Sequence, residues 1–199
     1  MMRLLFLLLL LFSPAAFADR TVLVFGDSLS AAYGLPLRQG WVSLLDARLQ
    51  RENPGWRVVN ASISGETTLG GAYRIRPALK AHRPAVVIVE LGANDGLRGL
   101  SATATRDNLD AILKACRDAR SKVVLVGMRL PPNYGREYTQ KFHDLYPQLA
   151  RKHRAALVPF LLEGIAAEPR LFQSDGLHPT AEAQPVLLEN VWKALKPLL

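Results

Sequence analysis

The chain has 199 residues, 49% of them hydrophobic and 21% charged, with a formal net charge of +8. That length and apolar fraction fit one domain with a sizeable core, and no internal repeat, low-complexity tract or linker divides it. The one cysteine excludes an intramolecular disulfide. The basic residues, scattered without interleaved aromatics or a nucleic-acid-binding motif, argue against a nucleic-acid partner.

The chain opens with Arg3 and an unbroken apolar run from Leu4 to Phe12. Ser13-Pro14 breaks the run, and Ala16-Phe17-Ala18 matches a small-x-small cleavage site. The run is far shorter than the ~20 residues of a spanning helix. A signal peptide over residues 1–18, cleaved after Ala18, is therefore expected, with a single domain over 19–199 and a periplasmic or secreted product. No cysteine follows the run to carry a lipid.

Thr21–Phe25 is the first strand candidate, and Gly26-Asp27-Ser28-Leu29-Ser30 follows it directly. Trp41, Leu44, Leu45 and Leu49 recur at helical spacing before a second strand at Arg57–Asn60. A glycine loop, Ile63-Ser64-Gly65-Glu66-Thr67, leads into a helix over Thr68–Ala81. The third strand, Ala85–Leu91, runs into Gly92-Ala93-Asn94-Asp95-Gly96. A helix carrying Leu109, Ile112, Leu113 and Cys116 precedes the fourth strand, Lys122–Met128. Then come a helix over Glu137–Lys152, a fifth strand at Ala155–Phe160 and a final helix over Thr180–Leu195. The strands are apolar almost throughout, as strands covered on both faces are. Their alternation with helices predicts an α/β fold with a five-stranded, mainly parallel sheet and helices on both faces. Pro159 suggests that the last strand lies at an edge.

In such a sheet the reactive crevice lies beyond the carboxyl ends of the strands. Ser28, Gly65 and Asn94 all follow strand ends, and Asp175-Gly176-Leu177-His178 precedes the last helix in a loop that can reach the same edge. A serine becomes a nucleophile only beside a base, and the base needs a third group to fix its tautomer. Ser28, His178 and Asp175 supply those three types. Gly65, through its backbone N–H, and Asn94, through its amide, supply donors for a developing oxyanion. Each has a plainer alternative: a helix cap for Ser28, a turn for Asp175, Asn94 and Asp95, and a φ > 0 position for Gly65. The elbow Gly-x-Ser-x-Gly of the α/β-hydrolases is absent, because position 30 is serine. His82 and His153 stand among basic residues and read as surface, and Cys116 reads as a buried small hydrophobe.

Taken together, Gly26–Ser30, the Gly65 loop, Gly92-Ala93-Asn94-Asp95 and Asp175…His178 resemble, in order and spacing, the SGNH (GDSL) hydrolase family. Longer strings, among them Val59–Gly65, Asn94–Gly99 and Asn133-Tyr134-Gly135, are most similar to its bacterial thioesterase I / lysophospholipase L1 group. The resemblance runs from Val22 to about Val191. It implies a three-layer α/β/α, flavodoxin-like fold. It also implies Ser28 as nucleophile, Asp175 and His178 completing the triad, and an oxyanion hole of Gly65, Asn94 and the Ser28 amide. No metal or organic cofactor is then needed. Asp27 and Asp95 read as scaffolding.

The implied activity is hydrolysis of acyl esters, thioesters or lysophospholipids by a monomer. Gly96–Leu100 is expected to form a mobile lip, with Leu97 and Leu100 against an acyl chain and Arg98 meeting an anionic head group. Tyr134 would stand in the opposite wall. The alternative for that segment is an ordinary surface loop. Net positive charge adds the prospect of peripheral contact with anionic lipid. Two other readings remain at this point: a carbohydrate acetyl-esterase, which predicts a polar, aromatic-lined cleft, and a noncatalytic binding module for a phosphate-bearing ligand, which leaves Asp175 and His178 unused.

Overall fold

The computed structural model describes residues 20–199. The expected signal peptide, residues 1–18, and its cleavage after Ala18 lie outside the described residues. Five strands, β1 (Arg20–Gly26), β2 (Trp56–Asn60), β3 (Val86–Glu90), β4 (Lys122–Val126) and β5 (Ala156–Val158), pair in parallel in the order β2-β1-β3-β4-β5. The helices are α1 (Trp41–Glu52), α2 (Thr68–His82), α3 (Ala93–Leu97), α4 (Ala102–Asp118), α5 (Arg136–His153) and α6 (Gln184–Leu195). α1 and α6 pack together on one face, and α2, α4 and α5 on the other. The expected three-layer α/β sheet is what the chain forms. Strand order reverses between β1 and β3, so the crevice for a ligand lies at their carboxyl ends.

The middle of the sheet is dry on both faces: Val22–Phe25 and Val86–Val89 have no exposed surface. α4 presents Leu109, Ile112, Leu113 and Cys116 to it, a helical stripe opened by Ser101, whose side chain accepts from the Ala104 N–H. Burial pushes the Cys116 thiol up to about 12 and leaves it without thiolate character. His153 departs from its surface reading. Its imidazole is 4% exposed and bonds Asp110 at 2.6 Å, drawn inward because α4 and α5 lie side by side.

Several element boundaries differ by a residue or two, with β4 ending at Val126 instead of Met128, and three further differences have a clear cause. β5 is shorter than Ala155–Phe160: the Gly127 N–H still bonds the Val158 carbonyl, and Pro159, with no N–H, ends the ladder. α6 begins at Gln184 after a single 3-10 turn, Ala181–Ala183, with Pro185 in its first turn. Asn94, Asp95 and Leu97, expected in a loop, lie on α3. The two outer strands are both shielded. β5 is only three residues long, and the outward Val58 N–H of β2 is bonded by the Asp46 carboxylate at 3.0 Å.

α3 starts at Gly92, whose φ of +117° belongs to glycine, and a Cβ there would collide with the Tyr146 hydroxyl. Gly92→Ala is therefore expected to cost about 2–5 kcal/mol in a chemical-denaturation experiment. An unchanged unfolding free energy would show that the α3 entry is not constrained.

Candidate active site

β1 delivers Ser28 to the sheet edge, and its hydroxyl meets His178 Nε2 at 2.8 Å. The other ring nitrogen of His178, Nδ1, bonds Asp175 Oδ2 at 2.7 Å. Asp175 Oδ1 accepts the backbone N–H groups of Leu177 (2.9 Å) and His178 (3.0 Å). The His178 N–H, then the imidazole, then the Leu177 N–H pull the Asp175 carboxyl down to about 2. It is thus ionised wherever the imidazole works, and it fixes the ring with Nδ1 protonated and Nε2 free to accept from serine.

The loop that carries this pair is held at its base. The Thr180 N–H bonds the Leu171 carbonyl, and the Gln173 N–H bonds the His178 carbonyl at 2.7 Å. The Gln173 side chain donates to the Tyr33 carbonyl at 2.9 Å. The buried Gln184 side chain accepts from the Trp41 N–H at 3.0 Å and donates to the Pro179 and Thr180 carbonyls. The Tyr33 ring lies on the His178 imidazole, with centroids 4.4 Å apart. None of Tyr33, Gln173 and Gln184 is visible in the sequence, because each acts through tertiary contact and belongs to no motif.

The expected oxyanion donors face the same space. Ser28, Gly65 and Asn94 all line one cavity of about 700 Å³. Gly65 has a φ of +79°, which a side chain would oppose. The Asn94 amide points between Asp27 Oδ2 (3.1 Å) and the Glu66 carbonyl (3.0 Å). To hold an oxyanion it must share or exchange one of these bonds. Asp27 is fully buried behind Ser28, and its Oδ1 accepts the Leu29 N–H at 3.0 Å. Asp95 faces away from the cavity and holds the start of α2 through the Thr68 N–H (2.9 Å) and hydroxyl.

The expected substrate contacts divide. Leu97 lines the cavity, whereas Arg98, Leu100 and Tyr134 do not. Arg98 donates to the Gly65 carbonyl at 3.1 Å, so it buttresses the glycine loop instead of standing free for a head group. The Tyr134 hydroxyl donates to the Leu97 carbonyl (3.0 Å) and the Tyr138 hydroxyl to the Leu100 carbonyl (2.6 Å). The expected lip is thus tied down on its outer side. Leu29, Met128, Leu130, Phe160 and Phe172 provide apolar wall, and the arginine lining the cavity is Arg129.

Residues 24–185 match the model of the GDSL-like Lipase/Acylhydrolase family. The chain belongs to that family. It is an acylhydrolase. It is 50% identical over 182 residues to Esterase TesA of Pseudomonas aeruginosa, covering 92% of this chain and 90% of that protein. It is 44% identical over 195 residues to Thioesterase 1/protease 1/lysophospholipase L1 of Escherichia coli, covering 98% of this chain and 91% of that protein. The crystal structure of TesA superposes with a TM-score of 0.88 at 50% identity, over 90% of this chain and all of that one. The acylhydrolase therefore shares about half of its sequence and its fold with TesA.

Proposed function

We propose that the acylhydrolase is an exported serine enzyme that cleaves acyl esters and thioesters through an acyl-enzyme on Ser28. The observation that carries this is the unbroken Asp175–His178–Ser28 chain at 2.7 and 2.8 Å, opening into a cavity with largely apolar walls. His178 takes the serine proton through Nε2 as Ser28 attacks the acyl carbonyl. The Ser28 and Gly65 N–H groups and the Asn94 amide receive the oxyanion. His178 then gives the proton to the departing alkoxide or thiolate, and water repeats the sequence to free the acid. The relatives' names, esterase and thioesterase among them, support both leaving groups. The apolar run and cleavage pattern before Asp19 support export.

The walls decide among acyl groups. An acetyl group would leave most of a cavity of about 700 Å³ unfilled, whereas each methylene buried there is worth ~0.8 kcal/mol. The p-nitrophenyl ester of octanoate is therefore expected to exceed that of acetate at least tenfold in kcat/KM. A preference for acetate would move the acetyl-esterase reading forward. Tyr33 and Leu177, both exposed, line the cavity, and the exposed Leu37, Ile63, Leu69 and Leu100 lie on segments that follow β1, β2 and β3, while Tyr73 stands exposed further along α2. That supports peripheral contact with lipid that bears the substrate.

A further inference from the structure

We propose that Asp27 and Glu90 form a buried carboxyl pair that holds one proton between them and positions the Asn94 amide, so that the Gly26–Ser30 segment is built as much around Glu90 as around Ser28. The inference rests on the acyl-hydrolysis reading above and assigns a role to the one acidic residue of β3.

Glu90 ends β3, beside Gly26 of β1, and has no exposed surface. Three residues of the Gly26–Ser30 segment address it. The Ser30 hydroxyl donates to Glu90 Oε2 at 2.7 Å, and the Asp27 N–H approaches the same oxygen at 3.4 Å. A Cβ on Gly26 would sit 2.7 Å from both Glu90 Oε2 and the Ser30 hydroxyl. Glycine at 26 is thus the residue that lets this carboxyl pass, and serine at 30 is its donor. Position 30 therefore has its own reason not to be the glycine of a Gly-x-Ser-x-Gly elbow.

Among the described residues no cationic side chain is bonded to either carboxyl. The titratable groups facing the pair are His178, on the side of Asp27, and Tyr146 of α5, which also faces Asp95. The Tyr146 hydroxyl is committed to the Leu91 carbonyl at 3.1 Å. Two carboxylates cannot both stay ionised in such a place, and one retains its proton. The donors decide which. Asp27 receives two N–H donors on separate oxygens, from Leu29 and Asn94. Glu90 Oε1 is sealed from solvent with no donor facing it. The charge accordingly rests on Asp27 and the proton on Glu90, whose Oε2 the Asp27 N–H approaches. Burial, then the Asp27 charge, push Glu90 well above the usual carboxyl range, and burial brings Asp27 up to about 6.

The charged Asp27 does two things for the reaction. It fixes the Asn94 amide in the plane from which a hydrogen turns to the oxyanion, and it faces the imidazolium that forms on His178. Glu90, as a neutral acid, keeps that charge in place without adding a second one beside the oxyanion. Asp27 and Glu90 are positioning residues, since neither lines up with the reacting atoms.

The test is kcat and KM on p-nitrophenyl octanoate from pH 5 to 9, with a melting temperature at each pH. It compares wild type with Glu90→Leu, Glu90→Gln, Asp27→Asn and Ser28→Ala. Glu90→Leu and Asp27→Asn are expected to lower kcat roughly 10- to 100-fold with KM unchanged. Glu90→Gln, neutral and of the same shape, should recover about tenfold of that loss. Asp27→Asn should also move the acid limb of the kcat profile to lower pH, because a negative charge facing His178 is gone. Both native carboxyls titrate above their unfolded values, so the native state binds the extra protons and the pair costs stability as pH rises. Glu90→Gln should therefore raise Tm over wild type more at pH 8 than at pH 4.5.

Folded Glu90→Leu and Asp27→Asn proteins with wild-type kcat and an unmoved acid limb would overturn the proposal. So would a folded Glu90→Gln protein as slow as Glu90→Leu. Should Glu90→Leu not fold, the other two decide. Ser28→Ala separates the two levels: if it stays active, the acyl-enzyme reading itself fails, and if it is inactive while the Glu90 and Asp27 variants keep wild-type kcat, only the carboxyl pair does.

Discussion

Ser28→Ala is expected to lower kcat on p-nitrophenyl octanoate by roughly 10⁶-fold, because members of a nucleophile–base unit fail together. The same variant should lose labelling by a fluorophosphonate probe, which reacts with an activated serine. Its Tm should move by no more than about 4 °C, since only one partly exposed hydrogen bond to His178 is lost. No neighbouring group is placed to take over. The Ser30 hydroxyl is committed to Glu90 and meets no histidine, and the Cys116 thiol is buried and pushed up to about 12. Residual turnover above about 1% of wild type in rigorously separated protein would mean that the nucleophile lies elsewhere.

Asn94→Ala should cost about 10²–10³ in kcat with KM nearly unchanged, the signature of a donor engaged in the transition state and little before it. The resting geometry sharpens this expectation. Both directions of the Asn94 amide are occupied, by Asp27 and by the Glu66 carbonyl, so the substrate carbonyl gains little from it on binding. The oxyanion, a stronger acceptor, draws the hydrogen across. Steady-state kinetics on one ester, with circular dichroism to establish the fold, decide the matter. A rise in KM at constant kcat would instead make Asn94 a substrate-binding group.

The sequence carried the sheet because its strands are buried on both faces and read as continuous apolar runs, as Val22–Phe25 and Val86–Val89 do. It carried Ser28, Gly65, Asn94, Asp175 and His178 because each follows a strand end or precedes a helix at a short motif. Residues that work through side chains far away in the chain were invisible. Gln184 reaches Trp41 across 143 positions, and Gln173 reaches Tyr33 across 140. Glu90 was hidden by its surroundings, one acid at the end of an apolar strand with nothing local to say what faces it. Arg98 and Tyr134 sit apart from the expected lining for a related reason. Long polar side chains near a cavity read as ligand contacts, and here nearby backbone carbonyls claimed them first.

The two outer strands bear on how the molecule behaves in a crowd. An unpaired strand edge is a template on which another chain can add, and sheets left open there grow into aggregates. On β5 the template is three residues long and stops at Pro159, and on β2 the Asp46 carboxylate already occupies an outward N–H. The sheet is finished at both ends within a single chain. Concentrated solutions should consequently stay free of strand-paired species, and Asp46→Ala, which reopens β2, is the change that would invite them.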